Sequence, residues 1–119
     1  MERRSNEGFI WSLFAAGGEL TALITPTMIF VTGIAIPMGL FQGAMSYERM
    51  LAFVSHPVGA IILFGIIMLS ACHAMHRLYK TLFDLGVRQG LGLLSVLSYG
   101  AAALATVVAF VVLLLLVVR

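Results

Sequence analysis

The chain has 119 residues, 61% of them hydrophobic and 10% charged, with a formal net charge of +2. A soluble domain carries about 25% charged residues, and a core of this length cannot hide so much apolar surface from water. So small a charge, without a basic tract interleaved with aromatics, also excludes a nucleic-acid binder. Lipid is the solvent that suits the composition, and the length allows three or four spans of about 20 residues each. Cys72 is the only cysteine, so an internal disulfide is impossible and an iron–sulfur cluster cannot be held by this chain alone.

The segment 1–8, with Arg3 and Arg4, reads as a cytoplasmic flank. It is not a signal peptide, because the apolar run after it is too long for an h-region and no small-residue cleavage site closes it. The first predicted helix spans residues 11–40, and no charge occurs between Glu19 and Glu48. Gly33, Pro26 and Pro37 are tolerated in a membrane helix. Pro26 should free the carbonyl of Ala22 and bend the helix, with Thr21 or Thr25 partly satisfying the loosened turn. In the loop that follows, Ser46 can cap a short helix whose Met50, Phe53 and Val54 dip into the outer interface.

The second predicted helix spans residues 57–85. Pro57 suits a first helical position, Ser55 or His56 is its cap, and Gly86 offers the stop. The third spans residues 91–118, uncharged and containing 17 Leu, Val, Ile or Phe residues; at roughly −0.3 to −0.6 kcal/mol each, insertion is strongly favoured. The expected fold is therefore an all-α membrane protein, one domain over residues 1–119 with three transmembrane helices. Arg3, Arg4, Arg77, Lys80 and Arg88 on one side face Arg49 and Arg119 on the other, which places the N-terminus in the cytoplasm and the C-terminus in the periplasm. Small residues at helical spacing (Gly17, Thr21 and Thr25; Ser98, Ala102 and Thr106) read as bundle packing.

On a wheel of about 100° per residue, His73, His76, Arg77, Lys80 and Asp84 share one stripe about 100° wide. Met75, Leu78, Leu82 and Leu85 cover the opposite side. Ionisable residues within a span are by default functional candidates. The same membrane face holds Trp11 and Phe14, with Glu19 one or two turns deeper, and Ala15 and Gly18 leave room beside the indole. A quinone headgroup needs donors for two carbonyls, proton acceptors for its reduced form and an apolar wall. Arg77 can stabilise developing charge, His76 can exchange a proton near neutrality, and Trp11 can supply a wall and a donor. Each has a plainer reading. Trp11 also suits an interfacial belt, Arg77 and Lys80 suit positive-inside flanks, and His76 suits a satisfied packing residue. Adjacent His73 and His76 on one helix cannot sandwich a haem iron without a second helix. Cys72 reads as a small buried hydrophobe. Glu19 is either a proton-relay carboxylate or a residue snorkelling toward the interface.

Several stretches resemble the D subunit of bacterial quinol:fumarate reductases over most of the chain. These are Trp11-Ser-Leu-Phe-Ala-Ala-Gly-Gly18, Pro26 with Met28-Ile29, Pro37-Met-Gly-Leu-Phe41, Ser46-Tyr-Glu-Arg-Met-Leu-Ala-Phe53, and His76-Arg77 with Asp84-Leu85. The resemblance implies a non-catalytic anchor in a four-subunit complex of the bacterial inner membrane. Its partners would be a flavoprotein subunit with FAD, an iron–sulfur subunit and a second hydrophobic anchor, the C subunit. It also implies menaquinol oxidation at a shared cytoplasmic-side site with Trp11, His76 and Arg77, without haem and without a metal held by this chain; Phe14, beside Trp11 at the same membrane face, is a further quinone-binding candidate. Glu19, His73 and Lys80 are candidates for a proton relay. The chain departs from the family pattern at Tyr79, Lys80 and Phe83, where relatives carry more histidines, and at Glu19, where an apolar residue is expected. The rival readings are a haem b succinate dehydrogenase anchor, and a small transporter or accessory membrane subunit.

Overall fold

The computed structural model describes residues 7–119, so the flank carrying Arg3 and Arg4 lies outside the described residues. Among the described residues there are four α-helices: α1 (Glu7–Phe30), α2 (Tyr47–Ser55), α3 (Pro57–Asp84) and α4 (Leu91–Val118). Three helical stretches, Gly8–Ala35, Pro57–Asp84 and Leu91–Val118, are each 28 residues long and apolar enough to cross a membrane. At a rise of 1.5 Å per residue such a helix is about 42 Å long, against a hydrocarbon core of about 30 Å, so its ends reach into the headgroups.

Helix α3 is central. Helices α1 and α4 each pack along it, and among the described residues no Cα of α1 comes within 8 Å of one in α4. Residues 14, 17 and 21 of α1 meet residues 73, 69 and 70 of α3, while 64 and 76 of α3 meet 110 and 99 of α4. Both pairs are therefore antiparallel. One end of the bundle gathers the start of α1, the end of α3 and the start of α4. The other end gathers α2, the start of α3 and the end of α4.

Close packing is mostly between small residues. Ser98 and Ala102 of α4 are buried, as are Ala60 of α3 and Leu113 of α4, and the expected small-residue stripe of the last helix is the one that faces α3. Thr106 belongs to it, its hydroxyl returned to the Ala102 carbonyl at 2.8 Å. On α1 the stripe is shorter. Gly17 is buried and Thr21 half-buried, whereas Thr25 is exposed. Nearer the other end, Phe64 meets Phe110 edge-on at 5.8 Å.

The termini follow local chemistry. Ser46 caps α2 by accepting from the Arg49 amide, and His56 caps α3 by accepting from the Val58 amide at Nδ1, with Pro57 in the first turn. At Gly86 (φ 86°) the amides of Gly86 and Val87 return to the carbonyls of Phe83 and Leu82, a Schellman stop. The α-helix ends at Asp84 with Leu85 as its C-cap, one residue before the expected boundary.

The first span differs more. It begins at Glu7, is α-helical only to Phe30, and continues as a π-helix over Val31–Ala35 rather than as one helix to residue 40. Pro37 offers no amide to prolong it, and Gly39 (φ 82°) closes it with a second Schellman pair, Gly39 to Ile36 and Leu40 to Ala35. The hydroxyl of Thr21, expected to help at the Pro26 gap, goes instead to the Gly17 carbonyl at 2.8 Å and to Ser70 of α3 at 3.2 Å.

Candidate functional site

At the end of the bundle that holds the connection between α3 and α4, Phe14 of α1 is the hub of a cluster of rings. Its ring stacks on His73 (4.5 Å, 18°), leans on His76 (4.7 Å, 58°) and meets Trp11 edge-on (5.8 Å, 88°). Trp11, one helical turn before Phe14, is 64% exposed, so much of the indole faces the surroundings. His73 and His76 are half-buried.

Both imidazoles are tethered through Nδ1. His73 donates from Nδ1 to the backbone carbonyl of Phe14 at 3.0 Å, and His76 Nδ1 lies 2.7 Å from the Tyr99 hydroxyl of α4. The first contact depends on two glycines. A Cβ on Gly17 would run into the Leu69 carbonyl, and one on Gly18 would lie 2.7 Å from Cε1 and 3.1 Å from Nδ1 of His73. The space that Gly18 leaves on this face of α1 is thus occupied by the His73 ring. Tyr79 joins from α3, its ring 5.9 Å from that of Tyr99.

The polar stripe predicted on the second span divides. His73 and His76 turn toward α1 and α4, whereas Arg77, Lys80 and Asp84 are exposed. Arg77 follows His76 in the chain and is exposed. Glu19 is exposed; at about 100° per residue it lies about 140–160° around α1 from Phe14, Gly17 and Thr21, on the face turned away from α3. Among the described residues no group of three or more His, Cys, Asp or Glu gathers as a metal site would require.

A bundle with three apolar spans, a ring cluster at one end and these local motifs has clear relatives. The model of a family described as the D subunit of fumarate reductase matches residues 1–114. Proteins named as this D subunit are 39% identical in Vibrio parahaemolyticus (92% of this chain, 87% of the relative) and 41% identical in Aliivibrio fischeri (92% and 91%). Another, from Photobacterium profundum, is 43% identical over 74% of each chain. The chain belongs to the family of fumarate reductase D subunits. Its three apolar helices make it a multi-pass, membrane-anchor subunit of a fumarate reductase, an accessory part of an enzyme complex.

Within this fumarate reductase anchor the structure adds a residue that the sequence did not single out. Tyr99 lies in a span whose other residues, apart from Phe110, are aliphatic or small, and nothing in the periodicity of α4 marks it. Its significance arises from the helix pairing that brings it against His76. The backbone carbonyl of Phe14 was equally hidden, because no side-chain pattern announces it.

Proposed function

We propose that this anchor, together with a second hydrophobic one, docks the flavoprotein and iron–sulfur subunits of fumarate reductase onto the bacterial inner membrane. It also contributes to a site where menaquinol is oxidised for electron transfer to fumarate. The N-terminus lies in the cytoplasm and the C-terminus in the periplasm, so the ring cluster sits near the inner leaflet beside the soluble subunits. FAD and iron–sulfur clusters belong to those companions, no haem is bound, and the chain by itself catalyses no reaction.

The observation that carries the reading is the gathering of Trp11, Phe14, His73 and His76, with Tyr99 in hydrogen-bond contact with His76; Arg77 is the next residue after His76 and is exposed. A quinol ring needs a flat apolar wall, which Trp11 and Phe14 supply. Its two oxygens need donors and, on oxidation, proton acceptors, which imidazoles provide near neutral pH. Arg77 supplies a fixed positive charge where negative charge develops on a ring oxygen. Glu19 and Lys80 are candidates to pass protons onward, Lys80 at the aqueous edge and Glu19 on a face open to a companion chain.

The test is made on the assembled complex in membrane vesicles, with each quinol-driven rate divided by the rate of fumarate reduction from a soluble donor. Arg77→Ala is expected to lower this ratio on the order of a hundredfold, as loss of one charge-stabilising donor does. Trp11→Ala should lower it less, through weaker quinol binding. An unchanged ratio in both variants, with less complex held on the membrane, would leave a scaffold and nothing more.

A further inference from the structure

We propose that the Phe14 carbonyl and the Tyr99 hydroxyl lock His73 and His76 in opposite tautomers, making His73 the proton acceptor of this site and His76 a hydrogen-bond donor. The functional half of this rests on the quinol-site reading above; the tautomers themselves do not.

A carbonyl oxygen only accepts, so at 3.0 Å from it the Nδ1 of His73 must carry the hydrogen. In the neutral ring Nε2 is then the unprotonated, basic nitrogen. The arrangement is built in rather than incidental. The ring reaches the α1 backbone only because residue 18 has no Cβ, and Phe14 stacks on it to fix its plane. At His76 the polarity reverses. The Tyr99 hydroxyl oxygen lies 2.7 Å from Nδ1 of His76, and because a phenol is a better donor than acceptor toward imidazole, we assign the hydrogen of this bond to Tyr99. With Nδ1 accepting, the hydrogen of His76 sits on Nε2. Two rings one helical turn apart on α3, both against Phe14, therefore offer one lone pair and one N–H. A quinol with two oxygens needs both, one oxygen giving up a proton while another is held by a donor.

Oxidation of the quinol releases two electrons and two protons. One O–H bond breaks as an N–H bond forms at Nε2 of His73, the second O–H proton passes to water at the membrane edge, and both electrons leave to the redox centres of the companion subunits. The Phe14 carbonyl stabilises the resulting imidazolium through Nδ1–H, and Nε2 later returns its proton to water at the membrane edge. Tyr99 touches no reacting atom in this scheme and is a positioning residue acting through His76.

The tautomers can be read directly, because the chain has only three histidines, His56, His73 and His76. The full-length chain labelled with 15N-histidine is reconstituted in lipid bilayers for solid-state NMR, with resonances assigned by single His→Asn variants. Protonated Nδ1 and bare Nε2 are expected at His73, and the reverse at His76. Tyr99→Phe should convert His76 to a tautomer mixture and leave His73 unchanged. Protonated Nε2 at His73, or a His76 spectrum indifferent to Tyr99→Phe, overturns the lock.

The acceptor role is read in the assembled complex with His73→Asn. The asparagine amide can still donate to the Phe14 carbonyl but has no basic nitrogen in place of Nε2. Its quinol-driven rate, normalised to the soluble-donor rate, should fall about a hundredfold, within the usual contribution of a positioned base. A normal rate in His73→Asn beside impaired Arg77→Ala and Trp11→Ala overturns the acceptor assignment while the quinol site stands. Normal rates in all three overturn both.

Discussion

Gly17 and Gly18 hold α1 close enough to α3 for one phenylalanine to meet two imidazoles, and their roles separate under substitution. A Cβ at Gly17 meets the Leu69 backbone and also lies 2.9 Å from the Cβ of His73, so the helices themselves must part. Gly17→Ala should cost about 1–3 kcal/mol, as overpacking does. A Cβ at Gly18 meets only atoms of the His73 ring. Gly18→Ala should therefore also lower the thermal unfolding midpoint in detergent, and adding His73→Ala should restore much of the loss. The same second change should not rescue Gly17→Ala, because both of its clashing partners remain. Equal rescue of the two would mean that the helices are not seated as described. Ser70→Ala is a milder case. Thr21 keeps its bond to the Gly17 carbonyl, so losing the 3.2 Å contact to Ser70 should cost no more than about 0.6 kcal/mol, the average for such bonds in membranes.

The ends of the helices show which parts of this fold were legible beforehand. Pro57, Ser46 and Gly86 mark boundaries through their own backbone chemistry, and the structure places caps or stops at all three regions. The expectation of one helix to residue 40 rested on unbroken hydropathy, and hydropathy does not distinguish an α-turn from the wider π-turn of Val31–Ala35. Nor does it register that Phe41 sits at φ 56° among the turns after Gly39. At the candidate site Trp11, Phe14, His73 and His76 were legible because polar and aromatic residues stand out in an apolar span. Tyr99 was not, since only helix pairing gives it a partner. The stops make a prediction of sign. Gly86→Ala forces a side chain into the left-handed region and should cost about 1–2 kcal/mol. Gly100→Ala adds a Cβ in open space within α4 and should stabilise by about 0.5–1 kcal/mol through helix preference. Titration with a denaturing detergent, followed by helical circular dichroism, should move the midpoint in opposite directions for the two. A shift in the same direction would mean that Gly86 is not a left-handed stop.

Across the whole molecule, surface and charge together set how the bundle sits. A compact soluble chain of 12.8 kDa would expose about 6,300 Å² by the usual scaling, whereas this one exposes 9093 Å². Large apolar side chains contribute to it, with Leu23, Ile61 and Leu104 each at least 65% exposed, as a face turned to lipid or to a companion helix should be. Charge then distinguishes the two ends. Lys80 and Arg88 lie at the end with the ring cluster, where the Arg88 guanidinium stacks 5.8 Å over Phe83. Arg49 and Arg119 lie at the other end, and Arg3 and Arg4 precede α1 in the sequence. The positive-inside rule predicts the ring cluster on the cytoplasmic side. Cysteine labelling tests this in a Cys72→Ser background, using Gln42→Cys in the first connection and Gln89→Cys in the second, both exposed positions. An impermeant maleimide applied from the periplasm should label Gln42→Cys in cells whose outer membrane has been opened. Gln89→Cys should react only after the inner membrane is broken. The reverse pattern would put His73, His76 and Arg77 on the periplasmic side, a membrane's width from cytoplasmic fumarate reduction, and the proposed docking and electron path could not both hold.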